Sequence, residues 1–169
     1  LQAGVGFDEN GKPQAGMGCD LADLNGTGRF SLIVATFQNE VKTLYRQSTG
    51  FTFINDTQGA GLSAATRNSL AFGAAWLDYD LDGDSDLLLT NGHVQDNIGQ
   101  VSAGTPYAQK PQLFRNDEGR FTDISAAAGP AFQVPLVARG LVVGDFDNDG
   151  DPDALINNSG VPASLFRNG

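Results

Sequence analysis

Apolar residues along this chain come in short runs separated by glycine- and aspartate-rich stretches. Leu32-Ile-Val34, Leu87-Leu-Leu89 and Ala154-Leu-Ile156 are three such runs. Each is preceded, across an acidic or polar loop, by a Gly-led stretch of small and apolar residues: Gly18-Cys-Asp-Leu-Ala22, Gly73-Ala-Ala-Trp-Leu77 and Gly140-Leu-Val-Val-Gly144. No segment of useful length repeats its apolar positions every 3.6 residues. The pattern predicts many short strands joined by tight turns, not helices.

The runs belong to an internal repeat. Asp23-Leu-Asn-Gly-Thr-Gly-Arg-Phe-Ser31, Asp78-Tyr-Asp-Leu-Asp-Gly-Asp-Ser-Asp86 and Asp145-Phe-Asp-Asn-Asp-Gly-Asp-Pro-Asp153 align with Gly28, Gly83 and Gly150 in register. A second anchor recurs as Leu44-Tyr-Arg46, Leu113-Phe-Arg115 and Leu165-Phe-Arg167. The step between anchors is 21, 35 and 20 residues, so the middle copy carries an insertion over 91–111. Gly50-Phe-Thr-Phe-Ile54 echoes Arg120-Phe-Thr-Asp-Ile124, and Ala60-Gly61 echoes Ala128-Gly129. One unit thus reads strand, acidic loop, strand, turn, strand, turn, strand. Four-stranded antiparallel units in series predict an all-β protein built of β-propeller blades. The blades are expected at about 15–58, 71–127 and 138–169, all within one propeller domain spanning 1–169. Two are complete and the third lacks its outer strand, which suits a fragment of a longer propeller, since closed rings typically hold 4–8 blades.

Charge sharpens this picture. The chain has 169 residues, 20 Asp+Glu against 10 Lys+Arg, and a net charge of -10. Seventeen of the acids are Asp and three are Glu, and ten of the Asp lie in the windows 78–86 and 145–153. The rest of the chain is electrically neutral, so the acidity is local. The scattered cations form no basic stripe, which argues against nucleic acid as a partner. A single Cys excludes an internal disulfide framework and a zinc site built on several thiolates. No apolar run approaches the ~20 residues of a membrane span, and the N-terminus shows no signal-peptide pattern.

In Asp78-x-Asp80-x-Asp82-Gly83-Asp84-x-Asp86, carboxylates fall at positions 1, 3, 5 and 9 of a curled loop, with a turn-forming Gly at position 6. Asp84 at position 7 would offer its backbone carbonyl and turn its side chain to water. Asp145, Asp147, Asp149 and Asp153 repeat the set, with Asp151 at position 7. Converging carboxylates repel unless a cation joins them. Hard oxygen donors without His or Cys point to calcium at both loops. An EF-hand is excluded, because position 12 is Val34, Leu89 or Ile156 where a bidentate Glu is required. The first loop offers Asp23, Asn25, Thr27 and Ser31, a single carboxylate. It is either an ion-free relic of the repeat or a third, weaker site completed by water.

These loops resemble the FG-GAP/VCBS repeats of integrin-α-type propellers. Gly16-Met-Gly18, Asn91-Gly-His-Val94, Thr105-Pro-Tyr-Ala-Gln109, Gln112-Leu-Phe-Arg-Asn116 and Arg139-Gly140 bring the chain closer still to the propeller of ASPIC/UnbV, or cartilage-acidic-protein-like, proteins. The resemblance implies a calcium-stabilised scaffold, extracellular, secreted or periplasmic, that acts in binding or adhesion and is not an enzyme. Its partner would be a protein or a glycan. A carbohydrate-binding propeller, with the insertion 91–111 shaping a glycan pocket, is the alternative.

His93, the only histidine, is the sole candidate base for a hydrolase or lyase, and no nucleophile elbow or paired Glu accompanies it. It is read as a loop residue hydrogen-bonded to backbone. Trp76 and Phe72 are read as packing between blades, and Cys19 as a buried small hydrophobe by alignment with Ala74 and Leu141. Asp20 aligns with Ala75 and Val142, so a carboxylate there needs a polar partner. The open faces of the outermost blades are expected to seek partners, another copy of the chain included.

Overall fold

Strands β1 (Gly18–Ala22), β2 (Ser31–Ala35), β3 (Thr43–Gln47) and β4 (Phe53–Asn55) form one antiparallel sheet in chain order. β5 (Ala71–Leu77), β6 (Asp86–Asn91), β7 (Gln112–Asp117) and β8 (Arg120–Asp123) form a second. β9 (Ala138–Gly144), β10 (Asp153–Asn158) and β11 (Ser164–Phe166) form a third. The structure, a computed structural model, describes residues 3–8 and 10–169; Leu1, Gln2 and Glu9 lie outside the described residues. The inner strands β1, β5 and β9 lie side by side, so the sheets succeed one another as propeller blades. The only helical pieces among the described residues are α1 (Leu62–Thr66), α2 (Ile98–Val101) and a 3-10 turn over Pro130–Gln133.

Pairing register explains which residues face which blade. Cys19, Leu21, Leu32 and Val34 share one face of the first sheet, while Asp20, Ile33 and Leu44 share the other. The second face packs on the middle blade, where Ile33, Leu44, Ala74, Trp76, Leu87, Leu89, Phe114 and Phe121 form one apolar cluster. Leu88, between two residues of that cluster, points the opposite way and joins Leu113, Phe132 and Ala154 against the third blade. β6 is therefore buried along its whole length, whereas β10 alternates buried and exposed positions. A strand covered on both faces reads as a continuous apolar run. Covering on one face alone leaves Leu155 45 % exposed at the position where Leu88 is closed in.

The repeated Gly of the first two inner strands is a close-approach position. A Cβ on Gly73 would lie 2.5 Å from Leu141 Cβ, and one on Gly18 would collide with the Phe72 carbonyl oxygen. Cys19 is exposed, contrary to the expectation of a buried hydrophobe, because it sits on the face of the first sheet that points away from the middle blade. Asp20, on the opposite face, accepts the Trp76 N–H at 2.8 Å, so its partner is the backbone of the next inner strand.

Two cations tie blades together. Arg46 pairs with Asp56 at 2.6 Å and donates to the Gly119 carbonyl at 2.7 Å, joining the first blade to the β7–β8 turn. Lys42 is fully buried, and its ammonium donates to the carbonyl oxygens of Phe37 (3.4 Å), Glu40 (3.3 Å) and Ser69. Burial pushes Lys42 down to about 7, with the Glu40 charge acting in the other direction.

The insertion 91–111 folds back on the entry to the third blade: Gln109 bridges Leu136, and His93 N–H donates to Tyr107 carbonyl. His93 is 1 % exposed and its Nδ1 accepts the Gln95 N–H at 3.0 Å. Trp76 packs its ring 5.6 Å from Phe121, and Phe72 lies under the Arg139 guanidinium at 4.5 Å.

Candidate metal centre

Each acidic loop joins the innermost strand of a blade to the next one, and all three share one backbone scaffold. The first Asp of each loop accepts the N–H groups of positions 5 and 6. Asp23 takes Thr27 (3.1 Å) and Gly28 (2.6 Å), Asp78 takes Asp82 (3.1 Å) and Gly83 (2.9 Å), and Asp145 takes Asp149 (3.1 Å) and Gly150 (3.0 Å). An Asp carboxylate that captures N–H groups ahead of it nucleates such a turn by itself. Position 4 is left-handed in every copy, at Gly26 (φ 62°), Leu81 (φ 58°) and Asn148 (φ 60°), as is the Gly of position 6. Sequence alignment singled out position 6 only; position 4 escaped because Leu81 is an unlikely residue for that conformation.

Position 9 closes the loop. Asp86 is buried, and its oxygens accept the Asn116 N–H at 2.7 Å and the Tyr79 N–H at 3.0 Å. Asp153 is buried too, accepting from Asn168 N–H at 2.8 Å and Phe146 N–H at 2.9 Å. Asn116 and Asn168 are thus part of the site, and their signal in the sequence is that Asn follows the Leu-Phe-Arg anchor only where position 9 is Asp. In the first loop position 9 is Ser31, the anchor is followed by Gln47, and the Gln47 side chain accepts the Phe30 N–H at 2.8 Å.

In the second loop, oxygens of Asp78, Asp80 and Asp86 come within 4.8 Å of one another; in the third, those of Asp145, Asp147 and Asp149 do so. These are the only such acidic groups among the described residues, and Asp23, Asn25, Thr27 and Ser31 do not form one. Asp82 and Asp153 stand outside the groupings of their own loops. Asp84 and Asp151 are held by their backbone N–H groups on Asp82 Oδ1 (2.9 Å) and Asp149 Oδ1 (3.1 Å).

The electrostatics differ between the two loops. Burial pushes Asp86 up to about 6, with the Asp80 and Asp82 charges adding to it and the two backbone N–H groups opposing. Asp147 is pushed up, first by lost hydration and then by Asp149 and Asp153, against the pull of Arg167. Asp149 is lowered, first by the Asp151 N–H and also by Arg167. Clustered carboxylates of this kind, all hard oxygen donors, fit a divalent cation of the calcium type, with Asp78, Asp80 and Asp86 or Asp145, Asp147 and Asp149 as side-chain ligands. Arg167 is a positive group already seated there: its Nε lies 2.5 Å from Asp147 Oδ2 and its Nη2 3.4 Å from Asp149 Oδ2.

Fold and loops together define a β-propeller segment of repeated blades. Residues 97–156, from α2 through the third acidic loop to β10, match the model of the FG-GAP-like repeat family. The fold is similar to that of Trypanosoma rangeli sialidase in complex with sialic acid, at 17 % sequence identity and a TM-score of 0.52 over 87 % of this chain. The chain spans 22 % of that structure's length, so the likeness concerns the blade architecture alone. A search of curated proteins found no match to the chain.

Proposed function

We propose that this propeller scaffold binds calcium at residues 78–86 and 145–153 and acts as an extracellular binding or adhesion module. The observation that carries the reading is the convergence of three carboxylates within 4.8 Å in each of two loops. The matched repeat in 97–156 supports it, as does the first loop, which reaches the same backbone form with one carboxylate. The loop fold therefore does not require four Asp, and the extra carboxylates are left for an ion. Calcium is plentiful outside cells, where modules bind it at about 0.1–1 mM. None of the described helices is long and apolar enough to cross a membrane. His93, buried and committed at Nδ1, supports a non-enzymatic reading.

At millimolar calcium, a site with a dissociation constant of about 0.1 mM adds roughly 1.4 kcal/mol of stability. EDTA is expected to lower the melting temperature, and Asp80→Ala and Asp147→Ala should each remove part of the calcium response. Equal melting curves in calcium and EDTA would refute the reading.

The partner surface is assigned to the open blade faces. Val142, Leu155 and Leu165 stand in register across the third sheet and are 59, 45 and 42 % exposed. Another blade, a protein ligand or a second copy of the chain would cover them, and light scattering distinguishes self-association. A glycan ligand is favoured by one feature: Asn91, Pro106, Gln109 and Lys110 of the insertion, with Gln112 and Asp123, line a cleft of about 690 Å³. Glycan-array binding lost on Gln112→Ala would select that ligand.

A further inference from the structure

The Leu-aromatic-Arg anchor places an arginine at the same repeat position in each blade, yet the three guanidinium groups go to three different places. Arg46 pairs with Asp56, an acid outside the loops. Arg115 is exposed and has no ion pair among the described residues. Arg167 alone reaches a cluster of convergent carboxylates, touching Asp147 and Asp149. The backbone pin is the same beside Arg115 and Arg167, Asn116 N–H on Asp86 and Asn168 N–H on Asp153, so the two arginines differ in where the side chain goes.

We propose that Arg167 is a built-in counter-cation of the third loop, which a calcium ion must displace, so that the second loop fills at lower calcium than the third. This rests on the reading of the loops as calcium sites. A calcium ion collects six to eight oxygens, and in the third loop two of the converging carboxylates already share a guanidinium. The difference in the groupings fits this. The second loop gathers Asp78, Asp80 and Asp86, including the position-9 acid; the third gathers Asp145, Asp147 and Asp149, and Asp149 is one of the two acids that Arg167 holds. To take calcium, the third loop must free Asp147 and Asp149 and admit a second positive charge beside the first.

The Arg167 side chain is 64 % exposed, so the pair is screened and its contribution modest. Its removal is expected to tighten calcium at the third loop by up to about fivefold. Exposure also means that Arg167→Gln should fold normally.

Each loop is isolated by disabling the other in the full chain. Asp80→Ala leaves the third loop, Asp147→Ala leaves the second, and calcium affinity is read by titration calorimetry in each background with and without Arg167→Gln. The expected result is weaker binding by the third loop than by the second, tightening of the third loop by Arg167→Gln, and a smaller gain at high salt. The second loop should be unmoved by the same change. Calcium uptake by both loops with no gain at the third from Arg167→Gln overturns the proposal and leaves the calcium reading intact. No uptake by either loop overturns both. Arg115→Gln is the control for net charge: an equal gain at the second loop would assign the effect to the whole protein's field and overturn the contact.

Discussion

Asn168 donates from its side-chain amide to the Tyr79 carbonyl oxygen at 2.6 Å. Its own backbone N–H goes to Asp153, while the Tyr79 N–H goes to Asp86. A continuous chain of hydrogen bonds therefore runs from the position-9 acid of one acidic loop, across the boundary between two blades, to that of the other. Order at either loop helps fix the same residue, Tyr79, through its two flanking peptide groups, and physical continuity of this kind is what lets two sites share free energy.

Asn168→Ala keeps the backbone bond to Asp153 and removes the bridge. In the parent protein, the effects of Asp80→Ala and Asp147→Ala on calcium-dependent stability should be non-additive by about 0.5–1 kcal/mol, the scale of one partly buried hydrogen bond. In the Asn168→Ala background they should add. A double-mutant cycle from chemical denaturation in calcium measures this, and additivity in both backgrounds would remove the relay.

Leu81 holds φ at 58° and the residue is 57 % exposed. The same position is Gly26 in one loop and Asn148 in the other, and a left-handed backbone costs an ordinary L-residue about 1–2 kcal/mol. Leu81→Asn should therefore stabilise the protein by about 0.5–1 kcal/mol, raising the melting temperature by about 2 °C. The gain should be equal in calcium and in EDTA, because it comes from the turn and not from the ion. Differential scanning calorimetry in both buffers checks it.

The blade order was legible because repeats force it: a Gly that starts an inner strand, an Asp that starts a loop and a Leu-aromatic-Arg that starts a third strand recur in phase. Candidate ligands were legible for the same reason. What stayed hidden depends on partners that side-chain identity does not encode. Asp20 is satisfied by a backbone N–H 56 residues away, and Asp86 and Asp153 by backbone N–H groups of Asn116 on β7 and of Asn168 just past β11. Alignment with Ala74 points Cys19 to the interior, but the two faces of a blade are equivalent in the repeat and unequal in the fold. Only the middle blade is covered on both.

That inequality has a mutational signature. Gly73 is pressed between Thr90 and Leu141, whereas a Cβ on Gly140 would meet only Asn157 Cβ at an ordinary 3.6 Å. Gly73→Val should destabilise by about 3 kcal/mol, since Thr90 on β6 and Leu141 on β9 both belong to packed neighbouring strands. Gly140→Ala, at the equivalent repeat position, should stay within about 0.5 kcal/mol of the parent. Urea denaturation midpoints for the pair test whether inner-strand packing, rather than strand propensity, sets the glycine pattern.

Lys42 supplies a pH dependence separate from the acidic loops. Its ordinary value of 10.5 falls to about 7 on burial, so between those values the unfolded chain holds a proton that the folded chain releases. The unfolded state then binds more protons, and stability rises with pH across the window from about 7 towards 10.5. Lys42→Met removes the group and with it this part of the slope, so the difference between parent and variant unfolding free energies should grow with pH above 7. The three carbonyl oxygens around Nζ oppose the effect, because they match the three donors of an ammonium ion. A difference that stays flat from pH 7 to 10 would show that these carbonyls hold the charge against burial; a rising one shows that desolvation prevails.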